Sequence, residues 1–318
     1  MTESLRVGVI GVGHLGRHHV RIYSTLPSVI VSGITDIDTS RGHEVAEEFK
    51  VPFYSNLEEL LALVDAVSVV VPTSAHFAVV ESSLRQNCHV LVEKPITSNE
   101  CEGTMLVQLA KEKEKILQVG HVERFNPIVE KVRPSIHMPG FIECHRLSPF
   151  QPRGTDVDVV RDLMIHDLDL ILSLGLGRPK HIEARGMPVF TEHPDVANVR
   201  ILFESGCLAN LTASRISTGR LRKLRIYQRN CYISVDLGAK DAVINSCQVS
   251  DSATREVQSQ KISGPDGDAL TRELECFIQT VLGTATHRGV SGQEGVDALR
   301  MASHIVSLIH SSMMAPSS

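Results

Sequence analysis

The 318-residue sequence predicts an α/β fold. An N-terminal Rossmann-type, doubly wound parallel sheet should be followed by a second α/β domain with an open, mainly antiparallel sheet. Three observations carry this. Short β-branched runs alternate with amphipathic stretches as far as residue 120, and unbroken apolar strands between helices mark a parallel sheet covered on both faces. A glycine-rich turn follows the first run. Beyond Pro127 come successive strands joined by turn signals such as Glu204-Ser205-Gly206 and Arg229-Asn230, which point to antiparallel pairing.

Taken in order, Arg6–Ile10 is too short and too β-branched for a helix, and Gly11 and Gly13 end it. Similar runs follow at Val29–Ile34, Ala66–Val71, His89–Val92 and Ile116–Val119. Helical patterns separate them at 14–26, 39–49, 56–63, 75–87 and 98–115. Strands are expected near 141–147, 181–189, 197–204, 207–216, 223–229, 231–237, 241–249 and 255–262, with one helix over Val157–Leu174. Helices at 268–282 and 292–313 close the chain, the second opened by Ser291 and Glu294 at capping-box spacing, and 311–318 should fray. The expected domains are 1–122 and 123–318.

Apolar residues make up 42% and charged residues 22%, which excludes disordered and fibrous classes. The net charge of −5 supports neither a nucleic-acid nor an anionic-membrane partner. Seven scattered cysteines with no C-x-x-C pair argue for reduced thiols in a cytoplasm and against a disulfide framework or a metal site. No apolar run approaches the ~18 residues of a membrane span.

Gly11-Val12-Gly13-His14-Leu15-Gly16 is G-x-G-x-x-G between a strand and a helix. That context suits a dinucleotide: the turn lets backbone approach a pyrophosphate, and the helix N-terminus offers N–H groups and partial positive charge. Asp36 ends the second strand, where a carboxylate can bind ribose hydroxyls and repel a 2′-phosphate. NAD is therefore expected; Arg41 and Thr39 keep NADP open. The plainer reading is an ordinary strand–helix turn with Asp36 as a loop cap.

Two further patterns suggest chemistry. Glu93-Lys94-Pro95 ends a strand, on the side where open α/β sheets bind ligands, and Pro95 holds Lys94 out of the helical region. Asp162, His166 and Asp169 fall at i, i+4 and i+7, on one helix face, where carboxylates can orient an imidazole for proton transfer. Taken singly, each residue reads more readily as a surface charge or a cap.

In this order, with Val71-Pro72-Thr73 and His76 between them, the motifs resemble the Gfo/Idh/MocA family of sugar and polyol oxidoreductases over nearly the whole chain. The resemblance implies that Lys94 contacts the reacting oxygen, with Lys94–Pro95 able to be cis. It implies that His166 is the acid/base, that Asp162 orients it or binds substrate, and that Pro72, Thr73, His76 and Glu93 border the cofactor. Val159-Val160-Arg161 departs from the glycines many members carry. Gly120-His121-Val122-Glu123-Arg124-Phe125-Asn126-Pro127 and the Arg215–Arg225 segment are similar to the family's sugar-nucleotide dehydrogenases. Arg124, Asn126 and Arg215 are thereby expected at the substrate, where guanidinium forks suit a diphosphate; a solvated sheet face explains the same charges equally well.

The expected protein is an NAD-dependent dehydrogenase of a secondary hydroxyl on a UDP-linked amino sugar. A free sugar or inositol-like polyol is the alternative substrate, and a dinucleotide-binding sensor the alternative class. A homodimer or homotetramer is expected, since the second domain has too few helices to cover both sheet faces.

Overall fold

A computed structural model describes residues 4–151, 157–249, 255–265, 267–285 and 289–314. The chain forms two compact units, Met1–Val122 with Leu270–Leu299, and Glu123–Ala269 with Arg300–Ser318.

The first unit runs β1 (Leu5–Ile10), α1 (His14–Tyr23), β2 (Val29–Thr35), α2 (Thr39–Phe49), α3 (Leu57–Leu61), β3 (Ala66–Val69), α4 (Thr73–Arg85), β4 (His89–Glu93), α5 (Glu100–Glu112) and β5 (Leu117–Gly120). Its strands form one parallel sheet in the order β2-β1-β3-β4-β5. Every residue of β3 and β5 is buried, as a sheet covered on both faces requires. Side-chain caps start three of the helices: Asp38 accepts from Arg41 N, Asn56 from Glu58 N and Asn99 from Glu102 N.

The chain passes into the second unit within a 3₁₀ turn, Val122–Phe125, followed by α6 (Pro127–Val132), another 3₁₀ turn at Arg133–Ser135 and β6 (Pro139–Leu147). A π-helical turn (Val160–Met164) leads into α7 (Ile165–Leu172). Next come β7 (Pro179–Met187), β8 (Val196–Phe203), β9 (Leu208–Ser214), β10 (Leu221–Gln228), β11 (Cys231–Asp236), β12 (Asp241–Val249) and β13 (Arg255–Ser263). They form an eight-stranded sheet ordered β13-β12-β11-β10-β6-β9-β8-β7, in which only β6 and β9 pair in parallel. One face is core: Ala197, Val199, Ile201 and Phe203 on β8 alternate with exposed residues, and Leu224 and Ile226 continue the layer on β10. α8 (Ala269–Val281) and α9 (Gly292–Met314) follow.

Three expectations change here. A single cut at 122/123 misses the return of Leu270–Leu299 to the first unit, where Leu274 and Phe277 join Val7, Val20 and Leu91 in one cluster and Val296 and Leu299 join Val90 and Val119 in another. α6 was not expected; its signal is local, Asn126 capping Ile128 N through Oδ1 at 3.3 Å with Pro127 in the first turn. The tail expected to fray from Ser311 is helical through Met314, and 315–318 lie outside the described residues. The Ser291–Glu294 capping box is present, with Ser291 N donating to Glu294 Oε2 at 2.9 Å and Glu294 N to Ser291 Oγ at 3.3 Å. None of the described helices is long and apolar enough to cross a membrane.

Candidate active site

At the carboxyl ends of the parallel strands lies a cleft of about 640 Å³ lined by Gly11, Gly13, Asp36, Thr73, Glu93 and Lys94 among others. The glycine turn is built as its spacing predicts. Gly11 has φ +83°, and a Cβ on it would lie 2.6 Å from Val70 O; Gly16 packs against Gly11 O. A Cβ on Gly13 would meet nothing within 4 Å. That open backbone at the N-terminus of α1, as N-cap, is the cradle a pyrophosphate needs. His14 and Leu15 follow, exposed, on its first turn.

Asp36 is 8% exposed and accepts from Val12 N at 2.8 Å, Asp38 N at 2.8 Å and the Arg41 fork. Burial pushes its pKa up, but the Arg41 fork and the two N–H donors outweigh that and hold it below the usual carboxylate range. A charged carboxylate at the end of β2 fits the ribose of NAD.

The other wall is set by strand ends β3 and β4. Pro72 precedes α4, Thr73 starts it, and Lys94–Pro95 is a cis peptide bond. His76, expected to face the cofactor, borders the cleft but is 1% exposed. Its Nδ1 lies 2.8 Å from Pro95 O and its Nε2 2.9 Å from Val71 O, so it braces the two strand ends. Burial lowers its pKa, and the carbonyl contacts offset only part of this.

In the second unit, Asp158 starts the segment that carries Asp162 and His166. Its Oδ1 accepts from Val160 N at 3.0 Å and Arg161 N at 2.9 Å, and its Oδ2 pairs with Arg161 at 3.0 Å. Asp162 lies in the π-helical turn and His166 in the first turn of α7, both half-buried. π-helical turns recur at functional sites. Asp169 does not share their exposure. It is 1% exposed and takes a two-pronged contact from Arg124, Nε to Oδ2 at 2.7 Å and Nη2 to Oδ1 at 2.6 Å. Its neighbour Asp167 is buried against Arg146, which also pairs with Glu123 at 2.9 Å. A buried carboxylate requires such a partner, so both serve to seat α7.

The side chains expected at the substrate have partners within the second unit. Arg124 spends its Nε and Nη2 on Asp169. Asn126, 4% exposed, caps α6 and donates from Nδ2 to Leu237 O at 3.0 Å. Arg215 is 5% exposed, with Nε 2.8 Å from Asp195 Oδ1, Nη1 2.7 Å from Val157 O and Nη2 3.1 Å from Thr191 Oγ1. On β10, Lys223 pairs with Asp236 and Arg225 with Glu143. The sequence reading passed over His19, buried in α1 beside Glu93, whose only signal was an imidazole inside the apolar stripe of Val20 and Tyr23.

Comparison with known proteins agrees with this geometry. The model of the Gfo/Idh/MocA oxidoreductase family's NAD-binding Rossmann fold matches residues 5–121, and that of its C-terminal domain matches residues 144–234. UDP-N-acetylglucosamine 3-dehydrogenase from Acidithiobacillus ferrooxidans is 37% identical over 288 residues, 90% of each chain. A solved structure of that enzyme superposes with a TM-score of 0.89 at 36% identity, covering 97% of this chain and 98% of the other. Myo-inositol 2-dehydrogenase from Thermotoga maritima is 25% identical over 93% of each chain. With both family domains in place and 37% identity over 90% of the chain to a dehydrogenase, the chain belongs to the Gfo/Idh/MocA family of oxidoreductases and is an NAD-dependent dehydrogenase acting on a CH–OH group.

Proposed function

We propose that the substrate is a UDP-linked N-acetylamino sugar, oxidised at a ring hydroxyl to the keto sugar. The observation that carries this is the 37% identity, over 90% of both chains, to an enzyme named for UDP-N-acetylglucosamine, against 25% for the inositol enzyme. NAD, when bound, supplies the hydride acceptor. Lys94, at the end of β4, sets a cation beside the reacting oxygen and stabilises charge there. His166 takes the hydroxyl proton, and Asp162, one turn before it, orients the ring. Gly11 to Gly16 and Asp36 hold the cofactor's pyrophosphate and ribose, and Pro72, Thr73 and Glu93 border its nicotinamide end.

The working form is a closed homo-oligomer in the cytoplasm, where seven free thiols stay reduced. The test is a direct comparison of NADH formation from UDP-N-acetylglucosamine, myo-inositol and glucose. Faster turnover of the nucleotide sugar is the expected result; faster turnover of either free compound would move the protein to the polyol branch, and no turnover of any would favour a sensor.

A further inference from the structure

His19 lies on the inner face of α1, three residues beyond the last glycine of the turn, and its side chain is 1% exposed. Its Nε2 is 3.3 Å from Oε1 of Glu93, whose side chain is 13% exposed. The two atoms are in polar contact without forming an aligned hydrogen bond. Nδ1 has no hydrogen-bond partner among the described residues. On its other flank the ring meets the edge of Tyr23, whose hydroxyl is bonded to Ser68 at 2.8 Å. A buried imidazole beside one carboxylate, on the otherwise apolar buried face of α1, costs stability.

Glu93 is held on three sides. Oε1 faces His19, and Oε2 accepts from the backbone N–H of Lys94 at 3.3 Å. The third side is closed by Gly120 of β5, where a Cβ would lie 2.9 Å from the Glu93 Cδ and both oxygens. No larger residue fits at 120 without displacing the carboxylate. On the far side of Lys94, Pro95 O is fixed by His76. The Glu93-Lys94-Pro95 segment is thus clamped between two buried histidines from different helices, one acting on each neighbour of the lysine.

We propose that His19 is a positioning residue for the dehydrogenase reaction, holding the Glu93 carboxylate against the Lys94 backbone so that the Lys94 side chain leaves β4 in one fixed direction. A misplaced catalytic group loses rate steeply with distance, so a buried contact that limits where the Glu93 carboxylate can sit acts on the reaction through Lys94. This rests on the reading that Lys94 serves the reacting oxygen, so Lys94→Ala is measured alongside.

The experiment uses the full chain, NAD and whichever alcohol gives the fastest NADH formation in the comparison above. It reads kcat, KM, NADH affinity by fluorescence titration and the thermal midpoint. His19→Leu should lower kcat by about tenfold to a hundredfold, with NADH affinity changed by less than about threefold. His19→Gln, which can present an amide N–H near the place of Nε2, should recover most of the loss. Glu93→Gln should lower kcat similarly, and the double variant His19→Leu/Glu93→Gln should be no slower than the slower single one, because both changes break one contact.

Equal rates for His19→Gln and His19→Leu, multiplying losses in the double variant, or a loss of NADH affinity that accounts for the whole effect would each overturn the inference. Should His19→Leu not fold, the comparison of His19→Gln, Glu93→Gln and their double variant decides by the same non-additivity. Full turnover by Lys94→Ala would instead defeat the assignment of Lys94, and a slow Lys94→Ala beside fast His19 variants would defeat only the present inference.

Discussion

Arg41 closes a two-pronged ion pair on Asp36, Nη2 to Oδ1 at 2.8 Å and Nε to Oδ2 at 3.2 Å. With Val12 N and Asp38 N on the same two oxygens, four donors occupy the roughly four lone-pair sites of a carboxylate. A ribose hydroxyl binding Asp36 must take one of these places. Arg41, with its side chain 42% exposed, is the donor that can yield. Its charge would also meet a 2′-phosphate, so Arg41 is expected to compete with the ribose of NAD and to favour NADP.

Asp36→Ala should therefore weaken NADH by about tenfold or more, the worth of a charge-assisted hydrogen bond, and narrow the gap to NADPH. Arg41→Ala should tighten NADH and weaken NADPH. Fluorescence titration of both cofactors checks this; an Asp36→Ala protein with unchanged NADH affinity would show that the carboxylate does not hold the ribose.

Lys94→Ala and His166→Ala should each cut kcat by about 10²–10⁴, the usual worth of a positioned acid or base, while NADH titrates nearly as in the parent. Wild-type kcat in either variant would remove that residue from the chemistry.

What could be read from the sequence was what lies contiguously in it. Gly11–Gly16 and Glu93-Lys94-Pro95 carry their geometry in adjacent residues, and a strand before and a helix after suffice to place them. The cations of the second unit could be counted but not assigned. Arg124 finds Asp169 45 residues on, and Arg215 finds Asp195 20 residues back. A charge whose partner is distant in sequence looks the same as one awaiting a phosphate. His19 was hidden for the same reason, since its partner Glu93 ends a strand far along the chain. The return of Leu270–Leu299 to the first unit could not be seen, because an apolar helix face does not say which core it joins.

The Arg215–Asp195 pair predicts a stability effect where the sequence suggested a substrate effect. Burial pushes the Asp195 pKa up, but the N–H groups of Phe190, Val189 and Thr191 and the Arg215 Nε–H outweigh it and hold the carboxyl far below its usual range. A depressed acid stabilises the fold above its unfolded pKa of about 3.9 and loses that contribution as pH falls toward the folded value. Arg215→Ala should cost about 1.5–3 kcal/mol by removing a charge-assisted hydrogen bond while the backbone donors to Asp195 remain, with KM of the folded enzyme changed by less than about threefold. Asp195→Asn should lower the thermal midpoint at pH 7, and the gap from the parent should start to narrow below about pH 4 and keep narrowing as the pH falls further. A constant gap across the acid range would mean that the charge of Asp195 is not what stabilises the loop at 189–191.

The last prediction concerns the sheet face opposite the core of the second unit. Phe141, Tyr227 and Tyr232, from the neighbouring strands β6, β10 and β11, form a ladder of half-buried rings, with centroids 5.4 and 4.9 Å apart. The Tyr227 hydroxyl donates to Glu143 Oε2 at 3.1 Å, and Arg225 pairs with the same carboxylate at 3.4 Å. Aromatic rings at the centre of a patch, rimmed by paired charges, have the composition of an interface core rather than of a solvated sheet. Two-fold self-association would bring the ladder of one copy against that of another, an isologous contact that closes on itself. Light scattering at micromolar concentration should give a multiple of 34.9 kDa. Tyr227→Lys with Tyr232→Lys should shift that mass toward the single chain, since unpaired ammonium groups would be buried at the contact. A parent protein that scatters as 34.9 kDa, or a double variant with unchanged mass, would rule out this face as the assembly surface.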